Sequence, residues 1–273
     1  MIFSIITIVY NAADLIEETM RSVLDQNYPE IEYIIIDGSS NDGTQVKIEK
    51  LLPAFIRKGI KTIYSSEPDK GISDAFNKGI RKASGDIIAL INAGDCLLPG
   101  ALEKVADAWA EDDEIVYGKT LAIDKKNNLR YLREIPCNLD LSKMVYNGLV
   151  FTHQSAFVKK TVYDKYGLYD ENIKYIMDSF LFIHFYQMGV HFRYLDEVLV
   201  SMLYGGISSK PSKGMLQEKI KLSEKYHGYS KKTIIFNHYK KIPIFYCKSI
   251  IRKFPWLWMK VIGKKRLVPD NDY

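Results

Sequence analysis

Polar turns follow four short apolar runs in the first hundred residues, three of the turns hold carboxylates, and these are the places where chemistry could be done. They read Val9-Tyr10-Asn11, then Asp37-Gly38-Ser39-Ser40-Asn41-Asp42-Gly43-Thr44, then Glu67-Pro68-Asp69-Lys70-Gly71, then Asn92-Ala93-Gly94-Asp95. Ordinary turn chemistry accounts for Gly, Asn and Asp at such points. It does not require carboxylates to recur at one rim. Further along, Asp178 stands alone in the apolar stretch Tyr175-Ile176-Met177-Asp178-Ser179-Phe180-Leu181. A lone carboxylate there suits a general base. It equally suits a helix N-cap, and the two roles are compatible.

The elements that must position these residues alternate. Strands are expected over Ile2–Val9, Tyr33–Ile36, Lys61–Tyr64 and Ile87–Ile91, and helices over Asp14–Asp25, Thr44–Arg57 and Ile72–Ala83. Strand and helix in turn predict a mostly parallel sheet covered by helices on both faces. Ligands bind such a sheet outside the C-terminal ends of its strands, where the polar turns fall. After a helix over Leu98–Trp109 the pattern changes. A strand pair is expected over Glu114–Ile123 and Leu129–Ile135, helices over Asp140–Asn147, Lys160–Tyr166, Ser179–Gln187 and Met215–His227, and a strand over His191–Ser201.

Composition narrows the class. With 273 residues, 47% hydrophobic and 26% charged, the chain can build one large domain with a small appendage. Cys96, Cys137 and Cys247 are widely spaced, which suggests neither a zinc site nor a disulfide framework and favours a reducing compartment. MIFSIITIVYN reads as a first strand and not a signal peptide. No apolar run approaches the roughly 18–20 residues that span a bilayer. There is no GxGxxG after the first strand and no GxxxxGK[ST], which argues against dinucleotide and P-loop enzymes.

The blocks SIITIVYN, IIIDGSSNDGT, SEPDKGISDAFNKGI and SGDIIALINAGD resemble the successive motifs of family 2 inverting glycosyltransferases with the GT-A fold. The resemblance is dense over residues 3–102 and looser through THQSAFVKK, DKYGLYDE and YIMDSFLFIHFYQMG to GGISS. It is strongest to the branch that builds bacterial surface polysaccharides of the colanic acid type. The implied fold is an α/β, Rossmann-like, mostly parallel sheet flanked by helices. Residues 1–102 would bind the nucleotide sugar, 103–210 the acceptor, and 211–273 would be a helical basic appendage.

The resemblance also implies roles. Asp37 matches the carboxylate that accepts from a uracil ring N–H. Thr7 and Tyr10 line the same nucleotide pocket. Asp69, Lys70, Asp74 and Asn77 fall in the nucleotide-binding block, with Lys70 where a cation could meet phosphate. NAGD occupies the slot of an Asp-x-Asp-Asp metal motif, with Asn92 in place of the first Asp and Asp95 as the retained carboxylate on an expected surface turn. Mg²⁺ or Mn²⁺ can be held by one carboxylate plus substrate phosphates. Asp178 matches the catalytic base, His153 and Gln154 match a block on the acceptor side, and Gly206 and Ser208 belong to a loop that could close over the diphosphate. Each has a plainer reading: Asp37, Asp42 and Asp95 as turn residues, Lys70 as a surface lysine, His153 as a core histidine.

The expected activity is transfer of a hexosyl or N-acetylhexosaminyl group from a UDP-sugar to a hydroxyl of a lipid-linked surface glycan. The rivals are a nucleotidyltransferase, which should show a Gly- and Arg-rich loop absent from SIITIVYNAAD, and a degenerate sugar-nucleotide-binding module without turnover. Charge adds a partner. Residues 225–269 hold 12 Lys or Arg and no acid, whereas residues 1–224 hold 26 basic and 31 acidic residues. With Phe245, Tyr246, Phe254, Trp256 and Trp258, the segment 231–266 suits an in-plane membrane helix at the inner face of the cytoplasmic membrane. The alternative is a solvated helical pair on the domain, divided by Pro243 and Pro255. No nucleic-acid motif is present.

Overall fold

The computed structural model describes residues 1–133, 135, 140–205 and 211–251. Four parallel strands form its first half: β1 (Phe3–Val9), β2 (Ile31–Asp37), β3 (Lys61–Ser66) and β4 (Ile87–Asn92), in the order β3-β2-β1-β4. Every residue of β1 and β2 is buried, which is why both read as near-continuous apolar runs. Alternate side chains of β1 serve two cores. Phe3, Ile5 and Val9 pack with Ile16, Met20 and Val23 of α1 (Ala13–Leu24) and with Ile48 and Phe55 of α2 (Thr44–Arg57). Ile6 and Ile8 face Phe76 and Ile80 of α3 (Ile72–Lys82).

Beyond β4 the sheet becomes mixed. Cys96–Leu97 forms β5, and α4 starts only at Ala101 and runs to Ala108. The expected helix start at Leu98 gives way because Pro99 disfavours a helical backbone at the residue before it, and Leu98 instead continues the pairing with β9, its N–H bonded to the Leu199 carbonyl at 2.9 Å. β6 (Ile115–Asp124) and β7 (Leu129–Arg133) form the expected antiparallel hairpin. A short 3₁₀ turn leads into α5 (Met144–Asn147). The strand β8 (Ala156–Lys159), not foreseen, is antiparallel to both β4 and β6 and joins the two halves into one sheet. After it come α6 (Lys160–Tyr166), α7 (Met177–Gln187) and β9 (Phe192–Leu203), which runs parallel to β6.

The appendage consists of α8 (Lys213–Lys225) and α9 (Lys231–Ile251). Pro243 lies inside α9 and does not divide it. Ile234 and His238 of α9 are buried, while Phe236 and Tyr239 are exposed. Among the described residues no helix is long and apolar enough to cross a membrane. Trp256 and Trp258 lie outside the described residues.

Candidate active site

The C-terminal end of β4 opens onto a cavity of about 770 Å³. Asn92 at the end of β4, Asp95 in the turn after it, His153 and Gln154 in a short 3₁₀ turn, and Asp178 in α7 all line it. Their convergence begins at the turn after β4. Gly94 has φ +97°, a backbone that side chains rarely adopt, and a Cβ there would meet Leu15 and Leu203 at 3.3 and 3.4 Å. The turn thereby carries Asp95 inward. Asp95 is 4% exposed and is not on a surface turn. Its Oδ1 accepts from the Leu203 N–H at 2.9 Å, and its Oδ2 from Gln154 Nε2 at 2.7 Å and Asn92 Nδ2 at 3.2 Å. Burial pushes the Asp95 carboxyl above its ordinary pKa, against the pull of Gln154 and the Leu203 N–H.

Asn92 explains its own departure from Asp. Its amide nitrogen lies 3.2 Å from Asp95 Oδ2 and 3.2 Å from His153 Nε2. An amide nitrogen that gives one hydrogen to a carboxylate has its second left for Nε2, which must then accept. The proton of neutral His153 therefore sits on Nδ1 and is donated to Asp178 Oδ2, 3.0 Å away. Burial opposes the imidazolium, but Asp178 outweighs it and the His153 pKa is raised. Phe76 packs edge-on to the ring at 5.3 Å.

Asp178 lies in the first turn of α7, where a negative charge is favoured by the helix dipole. It is not the N-cap; Ile176 is, and it makes no side-chain cap bond. The backbone N–H groups ahead of the helix are taken instead by Glu218 of α8. Its carboxylate accepts from Lys174 and Tyr175 at 2.8 Å and from Ile176 at 3.0 Å. Asp178 is thus released from a capping duty. Its Oδ1 is buried, and the buried Tyr169 phenol lies against the carboxylate. Burial and then the Asp178 charge push the buried Tyr169 phenol well up.

The nucleotide-side residues divide into two groups. Tyr10 is 64% exposed, and a Cβ on Gly38 would collide with Asp69 Oδ2 and meet Tyr10 at 3.2 Å, so these three crowd together beside the end of β2. Lys70 is exposed next in the chain to Asp69, its N–H donating to Asp74 Oδ2 at 2.9 Å. Asp74 also pairs with Lys78 at 3.4 Å; burial raises its pKa, but these partners prevail and lower it. Asp37 ends β2. It is fully buried and accepts from the N–H and hydroxyl of Ser40 and from the Ser66 hydroxyl.

Two expected residues serve the fold instead. The Thr7 side chain points into the helix-covered core and accepts from the Tyr33 hydroxyl at 3.0 Å. Asn77 holds the Tyr169 backbone from both sides, at 2.9 and 3.0 Å. Gly206 and Ser208 lie outside the described residues. Sequence reasoning missed Glu218, which no local spacing links to Asp178, and Arg133, which lines the same cavity from β7.

One carboxylate is not a cation site by itself, yet Asp95 fits a shared one. It is a buried anion at the cavity wall, and Oδ1 accepts a single hydrogen bond. Among the described residues the cluster with metal-like spacing is Asp112, Asp113 and His191. It lies beyond the start of β6, at the opposite end of the sheet, and Asp113 is already paired with Arg193 at 3.0 Å.

A sheet of this order flanked by helices, with polar turns at the strand ends, is the architecture of a GT-A-type glycosyltransferase domain. The chain belongs to glycosyl transferase family 2, whose pattern it matches over residues 4–198. It is 31% identical over 169 residues to an uncharacterized glycosyltransferase of Mycobacterium tuberculosis, 61% of this chain and 62% of that one. It is 38% identical over 108 residues to the putative teichuronic acid biosynthesis glycosyltransferase TuaG of Bacillus subtilis, 40% of this chain and 42% of that one. In fold it is similar to S. aureus TarS 1–349 solved with UDP (TM-score 0.63, 17% identity, 83% of this chain and 65% of that one). It is also similar to the Pyrobaculum calidifontis mannosyltransferase PcManGT solved with GDP-Man and Mn²⁺ (TM-score 0.59, 16% identity, 96% and 73%).

Proposed function

We propose that this protein is an inverting glycosyltransferase that moves a hexosyl or N-acetylhexosaminyl group from a UDP-sugar to a hydroxyl of a lipid-linked bacterial surface glycan, of the colanic acid type. The observation that carries the reading is the Asp178 side chain, 26% exposed in the wall of the cavity that Asp95 also lines. A carboxylate that reaches the cavity and is held by a histidine is placed to take a proton. In the step, the acceptor oxygen bonds to the anomeric carbon as the bond from that carbon to the diphosphate breaks. The electron pair leaves with UDP and the acceptor proton passes to Asp178. His153, donating to Oδ2, keeps Asp178 oriented.

The donor would lie beside Tyr10, Gly38 and Asp69, its uracil toward Asp37 and its diphosphate toward Lys70 and Asp95. For Asp37 to accept from the base, the Ser66 hydroxyl has to turn away. Asp95 would hold Mg²⁺ or Mn²⁺ jointly with the diphosphate, and such a cation would offset the charge gathering on the leaving group. The basic segment from Lys231 onward would keep the enzyme at the inner face of the cytoplasmic membrane, where lipid-linked acceptors are found. The test is release of free UDP when the full chain is incubated with UDP-hexoses and UDP-N-acetylhexosamines, with Mn²⁺ and without. Binding without turnover would leave a sugar-nucleotide-binding module, and no binding would end the reading.

A further inference from the structure

The hairpin of β6 and β7 equips the far side of the cavity with a chemistry that the donor does not need. On β6, the Thr120 hydroxyl meets that of Thr152 at 2.7 Å, which turns this face of the strand toward the cavity. Residues directly opposite in an antiparallel pair share a face. Arg133 is opposite Thr120, and Tyr131 is opposite Ala122. Both line the cavity, as do Tyr204 at the end of β9 and Tyr175 ahead of α7.

Arg133 is the permanent cation among the described lining residues, whose carboxylates are Asp95 and Asp178. No carboxylate among the described residues forms a salt bridge with it. It is exposed at the mouth, yet the protein around its guanidinium draws its pKa below the ordinary value, against Tyr131 and Tyr204. An arginine that is partly desolvated and unmatched favours an anion. Position separates it from the diphosphate. Asp95 is tied to Leu203 on β9, and β6 stands between β9 and β7. Arg133 is level with Val200, three residues short of Leu203, so two strand spacings across and three residues along place its backbone roughly 14 Å from that tie.

We propose that this half of the cavity is an acceptor subsite selective for a sugar that carries an oxyanion, either a carboxylate or a phosphate. The planar guanidinium fork matches two oxygens of such a group. Tyr131, Tyr175 and Tyr204 line the same part of the cavity and would give the sugar aromatic surface to pack on. The proposal rests on the glycosyltransferase reading, because it assigns the bound sugar the role of acceptor.

The test uses the full chain and saturation-transfer NMR titrations with three probes: methyl glucoside, methyl glucuronide and glucose 6-phosphate. Each is titrated with and without UDP, and UDP affinity is measured separately by calorimetry. The wild type is expected to bind the anionic probes about 10-fold or more tighter than the neutral one, the scale of a hydrogen bond to a charged group. Arg133→Gln should erase that preference, Arg133→Lys should keep part of it, and both should leave UDP affinity unchanged. The tighter of the two anionic probes identifies the oxyanion. Equal binding of neutral and anionic probes overturns the proposal. So does an Arg133→Gln variant that loses UDP affinity and keeps the anionic preference, since Arg133 would then serve the donor. An anionic preference in a protein that binds no UDP supports the oxyanion site and sinks the glycosyltransferase reading instead.

Discussion

His153 Nδ1 lies 3.0 Å from Asp178 Oδ2, and the far nitrogen of the same ring lies 3.2 Å from Asn92. The ring therefore couples the turn after β4 to the start of α7. Because the folded pKa of His153 is raised, the native state binds more protons than the unfolded chain between the two values. The charged form of the pair stabilises fully below the ordinary histidine value near 6.5 and is lost as pH rises through the folded value. Turnover should move the other way. An imidazolium beside Asp178 weakens it as a base, so the rate should climb with pH through a midpoint above about 6.5. Asn92→Asp replaces a donor to Nε2 by an acceptor and favours the imidazolium, so its midpoint should shift further up. A pH–rate profile identical in wild type and Asn92→Asp would count against the coupling.

Asp178→Asn keeps an oxygen for the His153 N–H and removes the proton acceptor. Since Ile176 starts the helix and Glu218 satisfies the preceding N–H groups, no cap is lost. Turnover should fall by roughly 10²–10⁴, the usual scale for a general base, with UDP affinity and melting temperature nearly unchanged. A near-normal rate would transfer the role to another carboxylate.

The first half of the sheet was legible because β1, β2 and β4 are buried on both faces and the helices between them carry apolar stripes, so the alternation is written in residue types. β8 was not, since four residues, Ala156–Lys159, carry no period long enough to separate strand from loop. In the site, the motif resemblance pointed to Asp95, His153 and Asp178, but their linkage through Asn92 and Gln154 is a matter of distances that no spacing encodes. Thr7 and Asn77 stand in the right segments and face the wrong way. Thr7 is on the same side of β1 as Ile5 and Val9, into the core, and Asn77 is drawn to a chain segment 92 residues away.

Asp95→Ala tests how far the site is also structure. The substitution leaves the Leu203 N–H, Gln154 and Asn92 without their acceptor. A buried donor left unsatisfied costs about 1–3 kcal/mol. Removal of the buried charge offsets part of this at neutral pH. A raised carboxyl pKa means that ionisation of Asp95 opposes folding, increasingly so as pH rises from the ordinary value toward the folded one. A net loss of stability is expected in urea melts, smaller at neutral than at acid pH. Mn²⁺ should bind the donor-free wild type weakly and the UDP complex tightly, and the variant in neither state. Tight Mn²⁺ binding without UDP would contradict a site built from one carboxylate.

The basic helix α9 can be tested without cutting the chain. Deletion from Lys231 would strip buried Ile234 and His238 from the domain and confound the result. Lys231, Lys232 and Lys240 are exposed, with Phe236 and Tyr239 open to solvent among them. Reversal of all three to Glu should leave the melting temperature almost unaltered. If the helix rests on anionic lipid, each lysine near the surface contributes about 1 kcal/mol, so vesicle affinity should fall on the order of 10²-fold or more. Salt should reproduce the loss in the wild type, because the attraction is screened within a Debye length of about 10 Å at 0.1 M. Co-sedimentation with phosphatidylserine-containing vesicles at low salt measures both effects. A wild type that stays in the supernatant would mean that α9 serves only to pack on the domain through Ile234 and His238.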